Sequence, residues 1–425
     1  MTFHILIGVA IFLLVYVVIS AELINKTIAA LAGAALFMIF HIIGEKQAFE
    51  FVDWNVIFLL LGMMIIVGVT KESGVFQYVA IRMAKAARGN GVRILVLLSL
   101  VTAGFSAFLD NVTTILIIAP VTMMIAVELE ISPLPFLIAE AIASNIGGTA
   151  TLVGDPPNIM IGSAAQFTFL DFAANLAPLI LVILCIDLAL LAFLFRRRLV
   201  ATEERRFMIM ELDESKSIQD RKLMVKSLSV IALVIIGFLL QGVTGLEAGG
   251  VALAGAALLM LLTGGREVDR YFAEIEWGSI LFFVGLFVLV GGMVRLGVIT
   301  AVATWLLGLT EGNIRTTAAL IVWASGFLSA VVDNIPYVAT RIPLVEHFGA
   351  VLGSHAVEPL WWALSLGACL GGNGTLVGAS ANVIAAGIAK RSGYPLSFLH
   401  FTKYGLLVTL VNLVLSTVYV DFAYF

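Results

Sequence analysis

Two aspartate–asparagine pairs stand where the chain is otherwise built for hydrocarbon. Asp110-Asn111 lies with Thr113 and Thr114 in "FLDNVTTILIIAP" (108–120), and Asp333-Asn334 lies in "VVDNIPY" (331–337). A carboxylate at the centre of a bilayer costs several kcal/mol on most scales, so an aspartate kept there points to function. Carboxylate, amide and hydroxyl oxygens together suit a hard cation, and for Na+ the candidate ligands are Asp110, Asn111, Asp333 and Asn334. The same groups can exchange a proton or hydrogen-bond a neutral hydroxide, whereas two fixed carboxylates repel a di- or tricarboxylate. Two aspartates could also share a proton as in an aspartyl protease, but the Tyr-Asp and Gly-x-Gly-Asp contexts of intramembrane proteases are missing at both. There is no H-E-x-x-H and no G-x-x-x-x-G-K-[ST]. Neither a zinc protease nor a self-contained ATPase is indicated, and the chain reads as a non-enzyme without a cofactor.

A second pair of polar interruptions is "SNIGGTATLVGDPPN" (144–158) and "CLGGNGTLVGASAN" (369–382). Paired glycines followed by threonine, with Pro156-Pro157 in the first copy, cannot hold a regular helix. The opened backbone offers carbonyls and a half-helix N-terminus to an ion. Candidate binding residues are Asn145, Gly147, Gly148, Thr149, Thr151, Asp155 and Asn158 in the first copy. In the second they are Gly371, Gly372, Asn373, Thr375, Ser380 and Asn382. Glycine kinks can also serve helix packing alone; their recurrence in matching positions weighs against that. Asp155 has only Ala379 as counterpart, so the second break is the less charged. Glu140, opposite Leu364, joins Asp110 and Asp333 as a proton-carrying candidate, with a structural glutamate as the equal alternative. Arg341 could neutralise a carboxylate or snorkel to the interface. Cys185 and Cys369 lack metal-ligand spacing and read as small buried hydrophobes.

These residues need a membrane scaffold, and the composition supplies one. Apolar residues make up 61% of the 425, and charged residues 12%, against about 25% in soluble domains. At roughly 20 residues per span, an all-α polytopic membrane protein of about ten spans is expected, with lipid as its surroundings and no nucleic-acid partner. Spans are predicted at 4–22, 27–44, 54–71, 169–195, 227–242, 246–263, 277–294 and 404–423. The first lacks a basic leader and reads as a span rather than a signal peptide. Residues 196–226 carry nine Lys/Arg, which makes this linker cytoplasmic by the positive-inside rule; it reads as a solvated connector.

The chain also repeats itself. "ALAGAALFM" from Ala30 returns as "ALAGAALLM" from Ala252, "SAFLDN" as "SAVVDN", and "GGTATLVGDPPN" as "GGNGTLVGASAN", with offsets of 222 to 224. Residues 1–195 and 227–425 are therefore two repeats. The first holds a predicted re-entrant hairpin at 91–128 and a broken helix at 132–165; the second holds a hairpin at 315–350 and a broken helix at 355–390. After the third span of the first repeat come Arg82, Lys85, Arg88 and Arg93, whereas the matching stretch of the second has only Arg315. The basic copy reads as a cytoplasmic interfacial helix, which makes the repeats inverted. Lys390, Arg391, Arg266 and Arg270 then fall inside and both termini outside. Inverted repeats with unwound helices are the architecture of secondary transporters.

"FLDNVTT…P", "SNIGGTATLVGDPPN" and "VDNIP" resemble the ArsB/NhaD branch of the ion transporter superfamily: arsenite/antimonite efflux carriers, sodium/proton antiporters and the melanosomal P protein. More distantly the chain is similar to the sodium-coupled divalent-anion and citrate symporters. The resemblance implies an oligomerising scaffold, a moving transport domain, a homodimer and an elevator-like motion. It also implies a proton-coupled antiporter of the inner membrane exporting arsenite or antimonite, with Na+/H+ exchange as the alternative and citrate-like symport further off. An arsenite-stimulated ATPase subunit could energise the carrier. The carboxylate symporters typically carry Ser-Asn-Thr at their hairpin tips. Here aspartate replaces both serines, which argues against citrate.

Overall fold

The computed structural model describes residues 2–21, 23–264 and 268–425, so Arg266 lies outside the described residues. Among them there are helices and no strand. The first repeat runs α1 (Thr2–Ser20), α2 (Lys26–Ile39), α3 (Glu45–Glu50), α4 (Trp54–Glu72), α5 (Val75–Ala86), α6 (Gly91–Ser106), α7 (Asn111–Glu128), α8 (Leu134–Thr149), α9 (Pro156–Ala165), α10 (Phe169–Asn175) and α11 (Ala177–Phe195). After α12 (Glu203–Glu211) in the linker, the second runs α13 (Arg221–Leu239), α14 (Gln241–Thr244), α15 (Ala248–Leu262), α16 (Val268–Ala273), α17 (Trp277–Arg295), α18 (Val298–Leu309), α19 (Ile314–Val331), α20 (Asn334–Leu352), α21 (Glu358–Gly371), α22 (Ser380–Arg391) and α23 (Phe398–Tyr424). Eight of the described helices are long and apolar enough to cross a membrane, and α2, α6 and α15 are shorter apolar helices.

The matching polar residues that punctuate the two repeats act as helix caps. Asn90 accepts from the Arg93 amide at the head of α6, and Asn313 accepts from the Thr316 amide at the head of α19, both at 3.1 Å. Such caps satisfy amides that the first turn leaves unpaired. The repeats also interlock. Helix α4 packs on α15 and α17 on α2, with small residues at the crossings. A Cβ on Gly62 would lie 2.5 Å from the Ala252 backbone, and one on Gly285 would lie 2.8 Å from Ala30. The repeated "ALAG" motif is thus the floor onto which the glycines of α4 and α17 settle, a close approach that only small residues permit.

Helices α6 to α9, α11 and α19 to α23 form a second body. Helix α6 packs along α8 and α19 along α21, while α7 meets α22 and α20 meets α9. Each hairpin therefore lies against the broken helix of both repeats. Here too glycine sets the distance, because a Cβ on Gly147 would stand 2.1 Å from the Ala103 carbonyl oxygen. Gly147→Val is expected to cost about 3 kcal/mol or more through overpacking against backbone. Thermal unfolding in detergent should show this as a large fall in midpoint or as loss of folded protein.

Three expectations are corrected. The single span at 169–195 is two helices, because Pro178 cannot continue α10 and instead opens α11. In the second repeat, where "SFLHF" from Ser397 answers "TFLDF" from Thr168, Leu407 stands at the corresponding position and α23 runs unbroken for 27 residues. Cys185 is exposed on α11 rather than buried; the outer face of an apolar helix accepts a small, weakly polar thiol as readily as the core does. The linker is also more than a solvated connector. Lys85 on α5 reaches the Leu212 carbonyl at 2.7 Å and Glu214 at 2.5 Å, and Arg82 reaches Glu214 at 2.9 Å. The Gln219 amide donates to Ser73 at 3.0 Å. Nearby Gly74 has φ 81° and leaves no room for a Cβ beside the Ser217 carbonyl. The cationic side of α5 thus clamps the linker, and Arg221, Lys222 and Lys226 already belong to α13.

Lys85, with Arg82 adding, holds the Glu214 carboxyl down to about 2 from an ordinary 4.5. A depressed carboxylate contributes stability above its unfolded value and loses it as pH falls through the folded one. A spin label at Lys216→Cys, with Cys185→Ala, should keep one line shape from pH 7 to pH 4 and be more mobile throughout that range in Glu214→Gln.

Candidate functional site

The bends of both hairpins and both breaks meet at one place. Asp110 ends the 107–110 bend and caps α7, its Oδ1 accepting from the Thr113 amide at 2.8 Å. Asp333 caps α20, accepting from the Ile335 amide at 3.3 Å. The adjoining asparagines are buried and reach inward to the first break. Asn111 Nδ2 donates to Asn145 Oδ1 at 3.0 Å and to Asp155 Oδ1 at 3.3 Å, and Asn334 Nδ2 donates to Asp155 Oδ2 at 3.3 Å. Asp155, 1% exposed, is therefore the shared acceptor of both tips. A buried carboxylate is tolerated when amide donors converge on it in this way.

Asn145 ties the two breaks together, donating to Asn373 Oδ1 at 2.8 Å and to Asn382 Oδ1 at 3.0 Å. Asn382 in turn donates to the Gly372 and Thr375 carbonyls at 2.8 and 2.9 Å. Asn158 does the same for the Thr149 and Thr151 carbonyls at 3.1 and 3.0 Å. Carbonyls freed by the breaks are thus paired by side chains, as backbone inside a membrane protein requires.

A cavity of about 190 Å³ opens beside this network, lined by Asp110, Asn111, Asp155, Asn334 and Ser380 from the hairpin body. Lys26, Glu276, Ser279, Phe282 and Met64 line it from the interlocked helices. Lys26 Nζ lies 2.7 Å from Asp333 Oδ2, 3.0 Å from Ser380 Oγ and 5.1 Å from the centroid of the Phe282 ring. Beyond Lys26 a second cavity of about 330 Å³ begins, bounded by Asp333, Ser380, Ile24, Asn25 and Val383.

Several expected binding residues also bond the backbone. The Thr114 hydroxyl donates to the Asp110 carbonyl at 2.9 Å, Thr149 to Asn145 at 2.7 Å and Thr375 to Ala330 at 2.5 Å. Thr151 donates to the Ala107 carbonyl. Thr113 contributes its amide to the Asp110 cap. Gly147 and Gly371 pack on Ala103 and Gly326, and Gly148 and Gly372 pack on Gly154 and Gly378. Glu140 is buried on α8 with Thr122 as partner at 2.5 Å and lies outside the cavity lining. Arg341 stacks over Tyr337 at 5.1 Å and lines a separate apolar pocket with Trp305. Cys369 is buried against Asn158 Oδ1 at 3.5 Å.

Among the described residues no three Asp, Glu, His or Cys side chains converge as a metal cage. The four residues considered for Na+ divide: Asp110, Asn111 and Asn334 line the central cavity, while Asp333 is held by Lys26. Sequence reasoning misses Lys26, Glu276 and Ser279. Two signals point to them: Lys26 has the uncharged Ala248 at its place in the second repeat, and Glu276 answers Asp53 as a retained acid.

The citrate transporter (CitMHS) family model matches residues 15–367. An uncharacterized transporter of Mycobacterium tuberculosis is 46% identical over 424 residues, covering 99% of this chain and 98% of its own length. The 46 kDa membrane protein of Mycobacterium leprae is 44% identical over 423 residues, covering 98% of each. The P protein of Homo sapiens is 33% identical over 492 residues, taking in 95% of this chain and 58% of the human protein. The crystal structure of the Alcanivorax borkumensis YdaH transporter superposes with a TM-score of 0.59 at 14% identity, covering 99% of this chain and 98% of that one. That likeness is one of fold.

Proposed function

Because this chain belongs to the citrate transporter (CitMHS) family of the ion transporter superfamily and is a multi-pass membrane transporter, we propose that it exchanges protons for arsenite or antimonite across the cell's inner membrane. The observation that carries this reading is the charge of the cavity. Asp110, Asp155 and Glu276 line it, and the one ammonium among its described lining residues is bound to Asp333. A citrate-like tricarboxylate would be repelled by each of these groups that is ionised. A neutral trihydroxide instead donates hydrogen bonds to the same oxygens, and a cavity of about 190 Å³ accommodates a molecule of a few heavy atoms. Asp110 accepts from the bound hydroxide when ionised and releases it when protonated, which couples export to proton entry.

Na+/H+ exchange is the second reading. Asp110 and the Asn111 and Asn334 amides offer hard oxygens around one space. Motion follows from the two bodies. The interlocked α2, α4, α15 and α17 are the scaffold, and the hairpins and broken helices are the carrier. The cavity lies on their boundary, so sliding one body past the other exposes it to alternate sides, as in an elevator. The basic α5 and its clamped linker then face the cytoplasm, and the hairpins enter and return rather than span. The resemblance adds a homodimer and, for arsenite, an optional ATPase subunit.

Proteoliposomes loaded with acid and offered arsenite or Na+ in parallel test the reading. Uphill accumulation of arsenite supports the first reading and of Na+ the second; flux that only runs downhill makes the protein a channel.

A further inference from the structure

We infer that Lys26 is a tethered cation that makes the two symmetry-related aspartates unequal. It holds Asp333 to the scaffold while the cavity is empty and leaves Asp110 as the carboxylate open to substrate and proton. The inference rests on the transport reading above for its consequence, and on geometry alone for the contact.

Three observations carry it. First, Lys26 opens α2, which packs on α17 and α1, whereas Asp333 heads α20 and Ser380 heads α22. The contact at 2.7 and 3.0 Å therefore joins the scaffold to the carrier body. Second, Lys26, Ser380 and Ile384 line both cavities, and Asp333 lines the second, so the Lys26 contact stands between them. Side chains of Lys26 and Asp333 are only 30% and 14% exposed, and the Phe282 face adds a cation–π contact. Third, the repeats assign Ala248 to the place of Lys26 and Pro156 to that of Ser380. Asp110 thus has no ammonium at the corresponding position, and its hydroxyl partner is its own neighbour Thr113 on the same helix.

The titratable groups around the pair are Asp110 from the first hairpin, Asp155 from the first break and Glu276 from α17. Helices α1 and α4 present Ile19, Ser20, Leu60 and Met64. Among the described residues that line the cavities, Lys26 is thereby the single cation beside four carboxylates. An external cation reaches Asp333 only by displacing it, whereas Asp110 is free to exchange. This selects for substrates that one carboxylate can serve.

Hydrogen–deuterium exchange of residues 332–337 and 379–382 in the full chain, in lipid nanodiscs, reads the contact without any substrate. Lys26→Ala should speed exchange there by about tenfold or more, because local opening sets the rate. Lys26→Arg, which keeps the charge, should match the parent, and propylammonium should slow exchange again in Lys26→Ala. Asp333→Asn should give the same acceleration, and the double variant should add nothing further. Parent-like exchange in Lys26→Ala, additive effects in the double variant, or no rescue by the amine would overturn the inference. Should Lys26→Ala fail to fold, Asp333→Asn carries the comparison, and parent-like exchange there overturns it too. Transport by the parent, moved from the same nanodisc preparation to liposomes, is a separate readout. Absence of arsenite and Na+ flux contradicts the transport reading, whereas the exchange rates alone decide the Lys26 contact.

Discussion

Asp110→Asn is expected to leave a folded protein with at most about a hundredth of the parent's proton-coupled flux, the usual scale for losing a positioned proton carrier. The substitution is nearly isosteric, and asparagine is as good an N-cap as aspartate. The bond from the Thr113 amide to Oδ1 at 2.8 Å is therefore retained, so α7 keeps its start. What disappears is the charge facing the cavity and the ability to take up and release a proton. Size-exclusion profiles and thermal midpoints close to the parent's, together with lost flux, separate this outcome from misfolding. Asp110→Glu should recover part of the flux, since it restores the proton carrier at a displaced position.

Asn145→Leu is expected to do the reverse, removing stability first and activity with it. Asn145 is fully buried and joins the first break, to which it belongs, to two other elements: the tip of the first hairpin through Asn111, and the second break through Asn373 and Asn382. Hydrogen bonds between membrane helices are each worth about 0.6 kcal/mol on average. Here, however, the partners sit inside protein, where a stranded polar group costs about 1–3 kcal/mol. With the Asn373 and Asn382 carbonyl oxygens losing their donor, about 2–4 kcal/mol is the expected loss, visible as a lowered thermal midpoint in detergent. Because Asn145 couples the first break to the second, the variant should also loosen the deuterium exchange of 371–382, on the repeat that it does not belong to.

Asp110 is legible in the sequence because an ionisable residue among apolar neighbours is conspicuous on its own, and its match at Asp333 makes it doubly so. The two-armed form of 91–128 is legible for a related reason, since a polar pair midway in an apolar run too long for one span marks a bend, and in the structure Asn90 and Asp110 cap the two arms. Pro178 is an equally local signal, yet the unbroken apolar run around it reads as one span at 169–195, and the break between α10 and α11 is seen only in the structure.

Lys26 is different. Its partner is 307 positions away, and nothing in "INKTIAALAG" distinguishes it from an interfacial lysine. The useful signal is relational, a charge in one repeat whose counterpart is alanine. The threonines of the first hairpin and the breaks carry a second role that their sequence context does not announce. A hydroxyl near a glycine pair reads as a ligand donor, yet hydroxyls bond readily to a nearby backbone carbonyl, and Thr114, Thr149, Thr151 and Thr375 all do so. The linker's charged composition suggests solvation. Its docking depends on Lys85 and Arg82 finding Glu214, a tertiary match that composition does not encode.

The most direct test places the parent and Asp110→Asn side by side in proteoliposomes with an acidic lumen, and follows labelled arsenite and Na+ entering against their gradients. The parent should accumulate arsenite until the pH gradient is spent, and Asp110→Asn, equally well inserted, should accumulate none. Parent-like accumulation by Asp110→Asn would contradict the assignment of this aspartate as the coupling carboxylate.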